Sequence, residues 1–220
     1  MNYFESVFDI AYLVSVITIS VLIIRRGIIT KSKSSIIFGL MGLLLGLGDS
    51  FHLVPRIVGH LTTGLEDYQT ALGIGKLITS ITMTVFYCLI YLYYSIKTKD
   101  SNKYVWISLI GLTMIRFSLL MLPGNDWINN GNDLFYAILR NIPFLIIGII
   151  IVVIFVNKGK QKEFQMFKPM GYWIIVSFVC YTIVILGSSF VPVLGAFMMP
   201  KTIAYFIIVM IGYRDSLLMK

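Results

Sequence analysis

Asp49, His52 and Arg56 follow one another at i, i+3 and i+7, a spacing that puts all three on one face of a helix. An acid, an imidazole and a guanidinium side by side can pass a proton, orient a water molecule or grip an anion. They sit in an apolar stretch, and so do Asp9, Lys76, Arg116, Arg140, Asn141 and Lys201. Ionisable groups inside such stretches are costly, which makes them functional candidates by default. Arg116 is the strongest of them. Arginine cannot shed its charge by losing a proton, so a deep arginine needs an acid, carbonyl groups, water or an anionic ligand. The zone holds five cations (Arg56, Lys76, Arg116, Arg140, Lys201) against two acids (Asp9, Asp49). Pairing both acids leaves positive charge over, and a carboxylate, a phosphate or a lipid headgroup would satisfy it. Two plainer readings compete. Asp49 could bridge to Arg56 or Arg116 and only fix packing, or Arg56, Lys76 and Lys201 could simply snorkel to headgroups.

The elements that must position these groups follow from composition. Of 220 residues, 58% are hydrophobic and 13% charged, about half the charge of an ordinary soluble domain. A chain of this size cannot bury that much apolar surface in water, so lipid is its natural solvent. Stretches of about 20 apolar residues suffice to cross a bilayer. The apolar runs predict an all-α polytopic membrane protein with seven transmembrane helices over residues 3–24, 35–57, 72–96, 104–122, 134–156, 172–193 and 199–213. They form one transmembrane domain, residues 1–220. The last two spans are nearly continuous, with Pro192, Gly195 and Pro200 marking the turn. Pro55 predicts a kink in the second span, and Gly39, Gly42 and Gly46 in the same span permit a close helix neighbour. Tyr91, Tyr93, Tyr94, Trp106, Trp127 and Trp173 fall near predicted interfaces and read as an aromatic belt. His60 falls in a solvated loop. Cys88 and Cys180 read as small apolar packing residues.

Charge gives the orientation. The net charge of +8 could point to nucleic acid, but the cations lie between apolar runs rather than in a solvated patch. The connections after spans one, three and five, together with the tail, carry 13 of the 18 cations, from Arg25 and Arg26 through Arg214 and Lys220. The opposite connections carry Glu66, Asp67, Asp126 and Asp133. The positive-inside rule then places the N-terminus outside and the C-terminus in the cytoplasm. The N-terminus does not read as a cleavable signal, because Glu5 and Asp9 precede any cation. Counting about 1.5 Å per residue from the cation-rich ends puts Lys76 at the outer surface, Asp49 and Arg140 in the outer half and Arg116 near the midplane. The polar groups thus gather in the outer half, as in a pocket open to the outside or to the outer leaflet.

A weak internal repeat is visible. Leu47-Gly48-Asp49-Ser50-Phe51 is similar to Leu186-Gly187-Ser188-Ser189-Phe190, and Gly75-Lys76-Leu77-Ile78 to Pro200-Lys201-Thr202-Ile203. Aligning the ends of spans one and five sets Asp9 opposite Asn141. The order fits a 3+1+3 arrangement of two parallel three-helix units joined by span four.

No P-loop, HExxH or GxSxG motif occurs, and two histidines, only His52 within a span, argue against a zinc site. Neither a metal nor a cofactor is expected. The run Gly42-Leu43-Leu44-Leu45-Gly46-Leu47-Gly48-Asp49 resembles the LGD-bearing helix of the lysoplasmalogenase-like membrane hydrolases. That resemblance implies Asp49 as an acid or base acting on a lipid ether. The segment from Gly48 to Arg56 is similar to one in bacterial seven-helix integral membrane proteins of unassigned function, which implies a bacterial cell-membrane protein and nothing about activity.

Three functions are compatible with these residues. The first is binding or transport of an anionic or lipid-derived small molecule by Asp49, His52, Arg56, Lys76, Arg116, Arg140, Asn141 and Lys201, with membrane lipids around the bundle and no nucleic-acid partner. The second is an intramembrane lipid hydrolase in which Asp49 and His52 activate water. The third is a sensory or assembly component, for which the short loops leave little surface. Asp49, one turn from His52, would also favour the charged imidazole, which predicts a pH-dependent activity or stability linked to His52.

Overall fold

Every apolar run becomes a helix, because in lipid each backbone N–H and C=O must be satisfied within the chain. The computed structural model describes residues 2–131, 133–188 and 190–218. It contains α1 (Asn2–Ile29), α2 (Lys33–Leu61), α3 (Gln69–Thr98), α4 (Lys103–Leu120), α5 (Leu134–Lys158), α6 (Phe167–Gly187) and α7 (Met198–Leu218), with short 3₁₀ turns in the connections. Seven helices are long and apolar enough to cross a membrane, and no strand occurs among the described residues. Large apolar side chains such as Val14, Ile107, Ile149 and Val153 cover the outside, a surface suited to lipid and not to water.

Helix ends are set by local chemistry. Ser32 accepts a hydrogen bond from the Ser35 amide and starts α2, Asn102 accepts from Tyr104 and starts α4, and Asp133 accepts from Tyr136 and starts α5. Several helices outrun the predicted spans at their charged ends, α1 and α7 by a full turn or more. Hydropathy falls at the first arginine or lysine, but those long side chains let helical hydrogen bonding continue into the polar zone. The sixth and seventh spans depart most from expectation. The α6 helix stops at Gly187, a 3₁₀ segment from Pro192 to Phe197 intervenes, and Pro200 sits in the first turn of α7 rather than in the connection. A proline there lacks only an N–H that would be unpaired anyway. The α2 helix runs on through Pro55 to Leu61 and includes His60. Ser189 of the sixth-span motif and Lys220 of the tail lie outside the described residues.

The helices pack in chain order, α1 on α2, α2 on α3, and so on to α7, which closes the ring against α1. Packing, not water exclusion, holds such a bundle together. At Gly39 a β-carbon would stand 2.9 Å from both the Ile24 amide nitrogen and the Ser20 carbonyl oxygen of α1, so the absence of a side chain sets the α1–α2 distance.

At the cation-rich end the chain ties itself together. Lys97 holds Asp215 at 2.8 Å, Tyr93 donates to the same carboxylate, Arg26 donates to the Ser216 and Leu217 carbonyls, and Lys158 meets Asp100. Next to this lies an aromatic interior. Tyr91, Tyr93 and Tyr94 are buried here, not part of an interfacial belt. Tyr93 meets Phe38 edge to face, and Tyr94 packs on Phe155 and Phe167. Their rings pack inside while their hydroxyls reach Asn102, Asp215 and Asp100 at the cation-rich end.

Candidate functional site

The bundle is open at its other end. Between the helices there lies a cavity of about 440 Å³, within the usual size of small-molecule sites. Asp49, His52 and Arg56 of α2 line it, with Lys76 of α3 and Arg116 of α4. Arg140 and Asn141 of α5 and Lys201 of α7 complete the set of residues singled out by type and spacing. Side chains from five helices, far apart in sequence, thus face one space. Asp9 joins them, and so do Glu5, Tyr181 and Ser188, which the sequence patterning does not place in the site. A signal for Glu5 was present, since Glu5, Asp9 and Tyr12 share a helical face at i, i+4 and i+7.

The acids are committed elsewhere than expected. Glu5 pairs with Arg56, and its other oxygen lies 3.5 Å from His60 Nε2. His60 is therefore a helix residue turned onto α1, not a solvated loop histidine. Asp49 accepts a 2.8 Å hydrogen bond from the Tyr12 hydroxyl. His52 Nδ1 lies 3.4 Å from the Leu72 carbonyl oxygen of α3. Among the described residues no ion pair joins Asp49 to His52, Arg56 or Arg116, so the internal Asp49 bridge is absent and so is the contact expected to favour charged His52. The i, i+3 spacing brings the two residues to one wall, but each turns to a different neighbouring helix. Asp9 is buried with Oδ2 lacking a hydrogen-bond partner.

The cations are held mainly by neutral groups. Arg140 donates to Asn125 Oδ1 at 2.9 Å and to the Gly131 carbonyl at 3.2 Å, and its guanidinium lies 4.6 Å from the Trp127 ring centre. Asn125 is itself fully buried and donates to the Leu119, Leu120 and Leu122 carbonyls at the end of α4. The connection between α4 and α5 is thus a cradle, shaped by left-handed backbone at Asp126, Asn130 and Gly131, residue types that tolerate it. Trp127 serves this cradle rather than an interfacial belt. Lys76 donates to the Asn130 carbonyl at 2.8 Å, and Lys201 lies 4.6 Å above the Tyr181 ring. Arg56, Lys76 and Lys201 therefore turn inward rather than snorkel away.

Arg116 is 1% exposed. Its guanidinium lies 3.7 Å from the Phe144 ring centre, a cation–π contact. Nη2 donates to Asn141 Oδ1 over a long 3.4 Å, while Nε and Nη1 have no hydrogen-bond partner. Asn141 is fixed by its own bonds, donating to Ala137 and accepting from Tyr181. Phe144 lies near the middle of α5, so Arg116 meets that helix midway along its length.

The cavity wall carries five cationic side chains against three carboxylates. Glu5 lowers the excess from three, as read from the sequence, to two. No group of three or more His, Cys, Asp or Glu among the described residues could hold a metal. What the arrangement can do is bind negative charge: a buried guanidinium with two unpartnered nitrogens, an arginine and lysines held by dipoles, and apolar Phe144 and Met83 on the same wall. Comparison with protein-family models, with curated proteins and with solved structures finds no match, so the functional reading rests on this site alone.

Proposed function

We propose that this chain is an integral membrane protein that binds an anionic small molecule in the cavity at the open end of the bundle. The observation that carries the reading is Arg116, a fully buried cation on the cavity wall whose Nε and Nη1 have no hydrogen-bond partner and whose guanidinium pairs with no carboxylate. A buried charge without a counter-ion costs several kcal/mol, of the order of 3–5, and an anionic ligand removes that cost. The test is a thermal-shift series on the purified protein in mild non-ionic detergent, with native mass spectrometry for co-purifying molecules. Phosphate and carboxylates raise the melting temperature, and choline does not. The reading fails if no anion shifts the melting temperature and no anionic adduct is found.

The orientation belongs to the same proposal. The cation-rich connections support a cavity on the outer side of the membrane. A cysteine introduced at Asn129, in the α4–α5 connection, then reacts on intact cells with a thiol reagent that cannot cross membranes. Protection of that cysteine until the cells are broken would invert the topology.

Transport is the extension that a specific observation favours. Each sequence correspondence between the two three-helix units, Asp9 with Asn141, Asp49 with Ser188 and Lys76 with Lys201, has both members on the cavity wall. A site shared between parallel repeats is the arrangement in which one unit rocks against the other. Uptake of the bound anion into proteoliposomes separates a carrier from a protein that only binds. The hydrolase reading receives no comparable support, because Asp49 and His52 engage Tyr12 and Leu72 rather than each other.

A further inference from the structure

A second, smaller cleft of about 170 Å³ lies at the seam where α1 and α7 close the ring. Phe8, Ala11, Tyr12 and Ser15 of α1 form one side, and Ile203 and Phe206 of α7 the other. Phe8 also lines the charged cavity, and the Tyr12 hydroxyl is bonded to Asp49 of the cavity wall. The two spaces are therefore neighbours through Phe8 and Tyr12. Ala11 and Ser15 lie one turn apart and are too small to fill the seam, while Val7, Ile10 and Val14 beside them point outward to lipid.

The charged cavity has a mixed wall. Phe8, Leu53, Met198 and Met199 sit on it beside the cations. A small hydrated anion has no use for such a surface, but the first methylene groups of a hydrocarbon chain do, and methionine adapts readily to their shape.

We propose that the ligand is a single-chain anionic amphiphile, with its head at Arg116 in the cavity and its tail passing Phe8 into the α1–α7 cleft. The inference rests on the anion-binding reading above and adds the tail. A carboxylate and a phosphate monoester satisfy the same donors, so a fatty acid and a lysophospholipid are the two sources of this chemistry. The cleft faces the hydrocarbon of the bilayer, which gives the tail a route from the membrane that never crosses water. The cleft between Ala11 and Ser15 on one side and Phe206 on the other holds only about 170 Å³, and this favours one chain over two.

The experiment measures binding to wild-type protein in nanodiscs of zwitterionic lipid. The probes are acetate, octanoate and palmitate, with inorganic phosphate and lysophosphatidate as the phosphate arm. Affinity rises at least about a hundredfold from acetate to octanoate, because each buried methylene contributes severalfold. The arm that binds more tightly at equal chain length names the head. Ala11→Trp fills the cleft from its lipid-facing side, and Ser15→Phe does so independently. Both keep acetate and phosphate binding and lose the gain with chain length. If both variants show the wild-type gain, the cleft is not the tail site. If wild type binds acetate and phosphate with no gain for longer chains, the tail proposal falls and the anion reading stands. If wild type binds none of the probes, the anion reading itself falls.

Discussion

Arg116→Gln is expected to weaken anion binding about thirtyfold or more, while leaving the protein without ligand at least as stable as wild type. The first half follows from removing one member of a buried charge pair, which costs about 2–5 kcal/mol of binding. The second half follows from what Arg116 touches. Its contacts are the Phe144 ring and one long hydrogen bond to Asn141, with no acid. Glutamine keeps a donor for Asn141 and removes an uncompensated charge from the interior. A structural arginine behaves in the opposite way, since breaking a buried ion pair destabilises a fold by about 3–5 kcal/mol. Dissociation constants for phosphate or a carboxylate, measured beside melting temperatures in the absence of anion, separate the two. Arg116→Lys keeps the charge without the forked donor set and should fall between wild type and Arg116→Gln. Unchanged affinity in Arg116→Gln would remove this residue from the site.

The largest stability effect is expected at a residue that carries no charge. Asn125→Leu should cost about 4 kcal/mol, from an orphaned arginine and uncapped helix carbonyls together. Asn125 is fully buried, ties the last turn of α4 by three donor contacts and accepts from Arg140. Leucine keeps the branched shape of asparagine but is bulkier, so part of the loss reads packing, and the smaller Asn125→Asp change isolates the hydrogen bonding. Asn125→Asp restores an acceptor for Arg140 but abandons the α4 carbonyls, and should recover part of the loss. Thermal unfolding in one detergent at one protein concentration provides the comparison. A leucine variant within about 0.5 kcal/mol of wild type, the range of an ordinary surface change, would show that the cradle is not what orders this end of the bundle.

These two residues also mark where sequence reading works in such a protein and where it stops. Arg116 stands out because hydrocarbon makes any ionisable group conspicuous, and the same contrast outlines the seven helices. Asn125 does not stand out. It lies in a polar connection with no periodicity, and whether such a side chain is solvated or buried depends on where the next helix comes to rest. Glu5 is an intermediate case. It shares a face with Asp9 and Tyr12, but its pairing with Arg56 requires knowing that α1 packs along α2. Asp49 and His52 show the reverse error. Their spacing is right for one wall of one cavity, yet spacing on a helix gives a shared face and says nothing of which neighbour each side chain prefers. The end of α6 was hidden by apolar residues that continue past Gly187 into a 3₁₀ segment, since hydropathy does not register a change of backbone conformation.

The cradle around Arg140 has one more consequence. Its partners are an amide oxygen, a peptide carbonyl and an indole ring. None of these gains or loses a proton at any pH a cell meets. A carboxylate in their place would have fixed the arginine equally well, but it would have neutralised it and then released it in acid. Held by permanent dipoles, Arg140 stays in position from mildly acidic to alkaline surroundings, and its charge still reaches the cavity beside it. The attraction for anions at this corner of the cavity is thus buffered against acidification by the choice of holders.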